Sequence, residues 1–274
     1  MKTRRLQALL GLLVLPAIAV GCSMNPVTGK SELVLISEQQ EIDIGSEAAP
    51  QFEAEFGGKV ADESLQGYVQ QVGQSVAAVS DRKMPYEYAL LRSDVANAFA
   101  LPGGKIYITA GLMSRMTNER QLAAVLGHET GHVAAKHNVQ GLQRQMGAAV
   151  LVEIAARVAG ADKQQAAESA TKIVTSMVNL KYSRDDEYQA DEVGIKYMAE
   201  AGYSPWGMVE LLTTLKEMND SEPGSLGELF QTHPLTTKRI DGAREVVENN
   251  FKNWPKDAAD PHAGQFLEMR SRLK

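Results

Sequence analysis

One short segment, HETGH at residues 128–132, constrains the fold of this chain more than any other feature. Residues four apart on a helix lie about 40° apart around the axis, so His128 and His132 project from one face. Two neutral imidazoles on adjacent turns supply half of a tetrahedral zinc site, and Glu129 is placed to act as a general base. The alternative is a pair of surface histidines beside a solvated glutamate. It is disfavoured because the flanking residues are apolar, namely Leu122, Ala123, Val125, Leu126 and Val133.

A zinc site of this kind needs a third protein ligand, for which the sequence offers the remaining histidines or a carboxylate on another helix. The segment 183–191 places Glu187 and Asp191 four residues apart, so one could ligate while the other accepts a hydrogen bond from a ligating imidazole. An acidic helix face is usually only exposed to solvent, so this segment alone is weak support for a metal site. Its occurrence together with HETGH makes a metal-binding role more strongly indicated. His137 follows His132 by five residues, about 140° around the same predicted helix, and is not expected to bind the metal.

Charge and cysteine content exclude other classes of protein. The 274 residues have a net charge of −6, which argues against a general nucleic-acid binder, since phosphates require a basic surface. A single cysteine rules out an intramolecular disulfide framework. With 44% apolar and 23% charged residues, the composition is that of an ordinary globular chain with a sizeable core.

The first residues are typical of an export signal. Lys2, Arg4 and Arg5 precede an apolar run over residues 6–20, which is too short for a stable membrane span. The run leads into Ala-Val-Gly-Cys at residues 19–22, which resembles the lipobox where bacterial signal peptidases cut before an acylated cysteine. The alternative is an ordinary secretory signal followed by a buried cysteine.

Strands are few and come early, and helices follow, so the pattern predicts a mostly helical α+β fold with a small early sheet. The alternation of Tyr86, Tyr88 and Leu90 predicts a half-buried strand, and residues 105–109 (KIYIT) predict a second one. The longer predicted segments are helices over 62–80, 118–137 and 233–249 and a mobile loop over 219–232.

Several motifs occur together in an order that resembles one family. They are residues 97–104 (NAFALPGG), 106–111, HETGH, 187–191 and Thr-His-Pro at 232–234. Over nearly the whole chain after residue 22, the sequence is similar to the HtpX-like zinc metalloproteases, which are relatives of the CAAX prenyl endoprotease and of mitochondrial Oma-type proteases. Asn-Pro-Val-Thr-Gly at 25–29 resembles the bacterial lipoprotein branch of this family. Unlike HtpX, this chain is expected to have neither transmembrane helices nor the tetratricopeptide repeats of some periplasmic relatives.

The resemblance implies a zincin-like catalytic domain of the gluzincin type, with a long active-site helix. In such a domain His128, His132 and Glu187 would bind one zinc ion, and Glu129 would be the catalytic base. Asp191 would be the partner that orients a ligating histidine.

The resemblance also implies residues that contact substrate. Asn97, Ala98 and Phe99 would lie along an edge strand that pairs with an extended substrate backbone. Arg184 and Arg239 match positions of the family but have no role that the residues themselves indicate.

His233 would sit near the fourth zinc position, after the predicted loop and before Pro234. We expect its imidazole to donate a hydrogen bond to the oxyanion when the loop is open. With the loop closed, it would take the fourth zinc position in place of water, and Gly224 and Gly227 would give the loop its hinge freedom.

The chain is therefore expected to have three parts. They are a lipoprotein signal peptide over 1–21, the lipidated Cys22 with an extended tether over 22–36, and a single zinc metallopeptidase domain over 37–274. Ser23 is not the aspartate that favours inner-membrane retention in enteric bacteria, so the expected location is the periplasmic face of the outer membrane.

These features together predict a lipid-anchored zinc endopeptidase. Its expected substrates are unfolded or misassembled envelope proteins, with the outer-membrane assembly machinery as a partner and no nucleic acid. One alternative is a chaperone or assembly factor for outer-membrane proteins whose zinc site is latent or structural. Another is an exopeptidase, which would need a groove closed at one end.

Overall fold

Helices make up most of the structure, a computed structural model that describes residues 22–160 and 163–273. The predicted signal peptide lies outside the described residues. The helices are α1 (Glu38–Glu55), α2 (Glu63–Ala78), α3 (Ala110–Met113), α4 (Glu119–Ala134), α5 (His137–Met146), α6 (Ala148–Val158), α7 (Lys163–Val178), α8 (Arg184–Glu200), α9 (Trp206–Ser221), α10 (Gly227–Thr232), α11 (Thr237–Asn250) and α12 (Ala263–Ser271). The strands are β1 (Cys22–Met24), β2 (Ser31–Leu33), β3 (Glu87–Leu91), β4 (Ala98–Ala100) and β5 (Lys105–Thr109). The mostly helical α+β class is confirmed.

The main sheet has three strands in the order β3-β5-β4. β3 runs parallel to β5 and β4 antiparallel to it, so β4 is an edge strand. Both predicted strands are present, but the expectation of a half-buried β3 was wrong. Tyr88 and Leu90 belong to a core formed with α2 and α4, whereas Ala89 and Leu91 belong to a second core formed with α1. Helices therefore cover both faces of the sheet.

The helix that includes HETGH, α4, is buried along nearly its entire length. It begins after Asn118, whose side chain accepts a hydrogen bond from the backbone N–H of Gln121. No helix in the described part of the chain is both long and apolar enough to cross a membrane.

α8 packs closely against α4 because the seam between them is made of glycine and alanine. A Cβ on Gly127 would lie 3.2 Å from the carbonyl oxygen of Gly194, and one on Gly131 would lie 3.1 Å from that of Ala190. Side chains on α8 can therefore reach the histidines of α4 over a short distance.

Replacing Gly194 by alanine is expected to weaken both folding and metal binding. The new Cβ would lie 2.9 Å from the backbone nitrogen of His128. Because a backbone atom cannot rotate aside as a side chain can, the contact is relieved only if α8 moves away from α4. We expect a loss of about 1–3 kcal/mol in the free energy of unfolding and a weaker zinc affinity, measured by urea denaturation and zinc titration. Gly242→Ala is the matched control, because open space surrounds Gly242 in α11. Equal behaviour of the two variants would contradict the close-packing argument.

The expectation of one long helix over 118–137 was wrong. α4 ends at Ala134, and Lys136 adopts a left-handed conformation with φ of 62° before α5 begins. Two distant side chains stabilise the break by donating to carbonyls at the end of α4: Arg82 to the oxygen of Val133 at 3.0 Å and Asn25 to that of Ala135 at 3.2 Å. Local sequence gives no signal of these long-range partners.

The segment after Cys22 is a hairpin and not the expected extended tether. β1 and β2 pair antiparallel, with Cys22 opposite Leu33 and Met24 opposite Ser31. The Asn25 side chain closes the turn by accepting hydrogen bonds from the backbone N–H groups of residues 27 and 28.

The expected mobile loop over 219–232 was also wrong in large part. α9 continues to Ser221, and residues 227–232 form α10. Leu226 and Leu229 are buried in the core formed with α2 and α4, here called the main core. Their burial explains why this acidic, glycine-containing stretch is ordered. The last long helix, α11, begins at Thr237, so His233 precedes it instead of opening it.

Candidate metal centre

Four buried side chains from three parts of the chain converge on one point. His128 and His132 come from adjacent turns of α4, Glu187 from the first turn of α8, and His233 from the residue after α10. One ligand atom of each lies within 4.8 Å of those of the others, and all four side chains are buried. The structure thus brings together the predicted ligands and His233.

The spacing of these atoms matches a tetrahedral metal site. Nε2 of His128 lies 3.0 Å from Nε2 of His132 and 3.3 Å from Nδ1 of His233. Oε1 of Glu187 lies 3.3 Å from Nε2 of His132 and 3.0 Å from Nδ1 of His233. A tetrahedral zinc ion with bonds of about 2.1 Å separates its ligands by about 3.4 Å. Imidazole nitrogens and a carboxylate oxygen are also the donors that zinc prefers, so these residues fit the ion.

Glu129 lies beside the cluster but takes no part in it. Its side chain is buried, and its Oε1 is 3.6 Å from Nε2 of His233. Its other oxygen, Oε2, has no hydrogen-bond partner among the described residues. Burial raises the pKa of the Glu129 carboxyl. A buried carboxylate with one free oxygen next to the cluster is suited to accept a proton.

Asp191 contacts the first histidine of the motif from one helical turn beyond Glu187. Its Oδ1 lies 2.9 Å from Nδ1 of His128. This contact favours the proton on Nδ1 of His128 and leaves Nε2 free to face the cluster. Asp191 thus lies beside one of the predicted ligands, and its role in orienting that histidine stays a prediction.

Arg239, which matches a family position but had no role indicated by the sequence, is part of the site. Its guanidinium donates two hydrogen bonds of 2.7 Å to the carboxylate of Asp191, and a third nitrogen forms an ion pair with Glu187. The Arg239 side chain is 5% exposed, so the arginine is part of the interior and not of a surface salt bridge. A usable signal was present, because two buried carboxylates on one helix need a cation nearby. Arg184, by contrast, is exposed at the start of α8.

The charges of the site are strongly coupled. Burial alone would raise the pKa of the Glu187 carboxyl, but His233 and Arg239 outweigh it and hold that pKa well below its usual range. For Asp191, Arg239 likewise outweighs burial and lowers the pKa. Burial lowers the pKa of His132 well below its usual value, so this imidazole is neutral, as a metal ligand must be.

The second histidine of the motif, His132, is held by contacts with His137 and Tyr182, neither of which was expected from the sequence to belong to the site. Nδ1 of His132 lies 3.0 Å from Nδ1 of His137, and Nε2 of His137 lies 2.7 Å from the side-chain oxygen of Gln189. Tyr182 stacks on the His132 ring with centroids 3.8 Å apart. His137 reaches His132 only because the chain turns at Lys136. The expected position of His137, about 140° around a continuous helix from His132, was therefore wrong.

The predicted substrate strand lies next to the cluster, but its side chains differ in what they face. Ala98 lines an apolar cavity of about 40 Å³ together with His128 and Glu129. Phe99 packs into the core, with its ring centroid 4.6 Å from that of Phe56. Asn97 is buried, and its side-chain oxygen accepts a hydrogen bond from the N–H of Ala98. Of these three side chains, only that of Ala98 lines this cavity.

Comparison with known proteins agrees with this site. Residues 63–247 match the profile of peptidase family M48. The β-barrel assembly-enhancing protease of Escherichia coli (strain K12) is 28% identical over 84% of this chain and 48% of its own length. The mitochondrial metalloendopeptidase OMA1 of Schizosaccharomyces pombe is 29% identical over 69% of this chain and 58% of its own. Metalloprotease LoiP of Escherichia coli is 30% identical over 59% and 62%, respectively.

The chain thus spans about half the length of the first of these relatives. The family match covers most of the chain and includes the four residues of the cluster together with Glu129. The chain therefore belongs to peptidase family M48.

Proposed function

We propose that this chain is a zinc-dependent endopeptidase whose ligands are His128, His132 and Glu187. The observation that supports this most is the convergence of these side chains beside the free carboxylate oxygen of Glu129. Zinc is the metal of M48 metalloproteases, and when bound it supplies Lewis-acid chemistry, which polarises a carbonyl and acidifies water.

The side chains of this chain have separate tasks in the proposed reaction. Glu129 takes a proton from the attacking water and then delivers it to the departing amine. Asp191 holds the His128 imidazole so that Nε2 faces the metal position. Arg239 balances the charge of Asp191 and Glu187, which keeps both carboxylates ionised. The backbone of β4, at the edge of the sheet, pairs with an extended substrate.

The proposed substrates are misfolded or unassembled envelope proteins. One relative is named a β-barrel assembly-enhancing protease, which supports a role in the bacterial envelope and the outer-membrane assembly machinery as a partner. The apolar cavity next to Glu129 supports cleavage beside an apolar side chain, as is exposed in unfolded proteins. The proposed location is the periplasmic face of the outer membrane, with lipid on Cys22 as the anchor.

A specific observation also favours the chaperone alternative. With His233, the cluster has four protein ligands, and structural zinc sites are closed in this way whereas catalytic sites keep one position open. The two functions are separated by incubating purified protein with casein, with and without a chelator, while zinc content is measured. Internal fragments that disappear on chelation support the endopeptidase. If the protein does not cleave casein but still suppresses aggregation of an unfolded protein after chelation, the result supports the chaperone. Stepwise trimming of casein from one terminus supports an exopeptidase.

Removal of the fourth ligand is expected to increase basal activity. His233 Nδ1 lies among the other ligand atoms, so in this arrangement His233 closes the site. We expect His233→Ala to cleave casein several-fold faster than the wild type, measured as initial rates at equal zinc content. His262→Ala is the control, since His262 is exposed at the start of α12. A slower variant would assign His233 to oxyanion support, and an unchanged rate would remove it from the mechanism.

Lipidation is expected to depend on one residue. Cys22 is the only cysteine and follows the apolar run after a single glycine, so Cys22→Ser should abolish acylation and prevent lipoprotein signal cleavage. Mass spectrometry of the membrane-extracted protein checks both effects. A wild-type mature protein without diacylglycerol would contradict the proposed anchor.

A further inference from the structure

The outer face of the N-terminal hairpin exposes two apolar side chains. Met24 is 68% exposed and Leu33 is 50% exposed, whereas most large apolar side chains in the described part of the chain are buried. They lie on different strands of one two-stranded ribbon, β1 and β2. Together they give one face of the ribbon an exposed apolar surface that a partner could cover.

The inner face of the same ribbon is fixed to the catalytic helices. Ser23 accepts a hydrogen bond from Lys136, and Asn25 donates one to the carbonyl of Ala135. Glu32 accepts hydrogen bonds from Asn25 and from Gln140 of α5. The hairpin is therefore attached to the chain just after His132, and its outer face has a fixed orientation relative to the metal centre.

The proposed acylation position falls on the outer face. Cys22 is the cross-strand partner of Leu33 and precedes Met24 by two residues, and both relations place position 22 on the face that includes Met24 and Leu33. Residues 1–21 are removed in the proposed mature lipoprotein, so this ribbon begins at the acylated residue itself. This continuity identifies the partner as a lipid surface.

Charge is distributed in agreement with this assignment. Lys30 is exposed in the turn next to Ser31, the cross-strand partner of Met24, and a cation there is attracted to anionic headgroups. The acidic residue of β2, Glu32, faces the protein, where its carboxylate accepts hydrogen bonds. The outer face thus lacks the negative charge that this acidic chain has in excess.

We propose that Met24 and Leu33 insert into the interfacial region of the bilayer and seat the protein on it in one orientation. This inference rests on the proposed lipid anchor for its approach to the membrane. It goes further by making the hairpin a rigid seat and not a tether. Because the inner face contacts the end of α4, the metal centre is held at a constant height above the lipid.

The test places a fluorescent probe on the outer face of the full, lipidated chain. Met24→Cys and Leu33→Cys are labelled with an environment-sensitive nitrobenzoxadiazole, which reacts only with the new thiol because acylated Cys22 has none free. Leu267→Cys is the matched control, since Leu267 is 45% exposed on α12. Each protein is reconstituted in vesicles of phosphatidylethanolamine and phosphatidylglycerol, some of which contain nitroxide-labelled lipid.

We expect strong nitroxide quenching of the probes at positions 24 and 33 and little at position 267. Equal quenching at the three positions would overturn the proposal. Probes that are shielded from solvent but not quenched, in a protein that sediments as a dimer, would also overturn it, since a second copy would then cover the face.

A second measurement tests insertion of Met24 and Leu33 separately from the lipid anchor and from the peptidase activity. The unlipidated Cys22→Ser chain, produced without the apolar signal segment of residues 1–21, is mixed with the same vesicles, and its double variant Met24→Ser/Leu33→Ser is expected to bind them about tenfold more weakly than its parent. Equal binding would contradict the seat even if mass spectrometry shows lipid on Cys22. Casein cleavage by the same variant should be unchanged, so failure of the peptidase proposal is seen independently.

Discussion

Replacing Glu129 by glutamine is expected to lower kcat/KM for casein by about a thousand-fold while zinc stays bound at about one ion per chain. Glutamine preserves the shape of the side chain but cannot accept a proton from water. Because neither oxygen of Glu129 is among the converging ligand atoms, the change should leave the metal site intact. The measurement pairs initial cleavage rates with zinc content by elemental analysis.

Ligand variants give the opposite pattern and are the controls for this prediction. His128→Ala and Glu187→Gln remove atoms of the cluster, so both should lower zinc content as well as activity. If Glu187→Gln retains zinc and activity, another residue is the third ligand. If Glu129→Gln loses zinc to the same extent as His128→Ala, its effect reports on the metal and not on proton transfer.

The part of the site that could be predicted from sequence is the part that depends on helical spacing. HETGH and the pair Glu187 and Asp191 each place two groups on one face of a helix, and local geometry suffices for this. Their mutual contact depends on the glycine seam between α4 and α8, which no spacing rule contains. It was the family resemblance, and not the residues alone, that selected Glu187 from the open candidates for third ligand.

The errors came from contacts between segments far apart in sequence. The end of α4 depends on Arg82 and Asn25, which lie 51 and 110 residues from the carbonyls that they bind. Order in the segment 219–232 depends on burial of Leu226 and Leu229 in the main core, which outweighs its acidic, glycine-containing composition. Propensity and pattern describe local preferences, and tertiary contacts overrode them at both places.

The segment before His233 is ordered, and this changes how His233 is expected to enter and leave the fourth zinc position. From the sequence, Gly224 and Gly227 are expected to act as hinges within a mobile loop. In the structure α10 leads directly to His233, whose backbone N–H donates to the carbonyl of Leu229 at 2.8 Å. Opening of the site would therefore require α10 to shift as a unit, which remains a prediction.

The second large effect is expected at Arg239, where methionine should destabilise the metal-free protein by about 3–5 kcal/mol. Methionine retains much of the apolar stem of arginine but removes the cation from between Asp191 and Glu187. Both carboxylates are almost fully buried, so they would lose their compensating charge without gaining water. Urea denaturation of the chelated protein measures the loss.

Arg244→Met is the matched control for this change. Arg244 lies on the same helix, α11, but is 44% exposed, and among the described residues its one ion pair is with the surface residue Asp241, so its loss should change stability by less than about 0.5 kcal/mol. Zinc adds a further readout that a purely steric defect would not give. A bound cation near Glu187 replaces part of the missing positive charge, so zinc should stabilise Arg239→Met more than it stabilises the wild type. If zinc stabilises both proteins equally and the two arginine variants unfold alike, Arg239 has no electrostatic role at the metal centre.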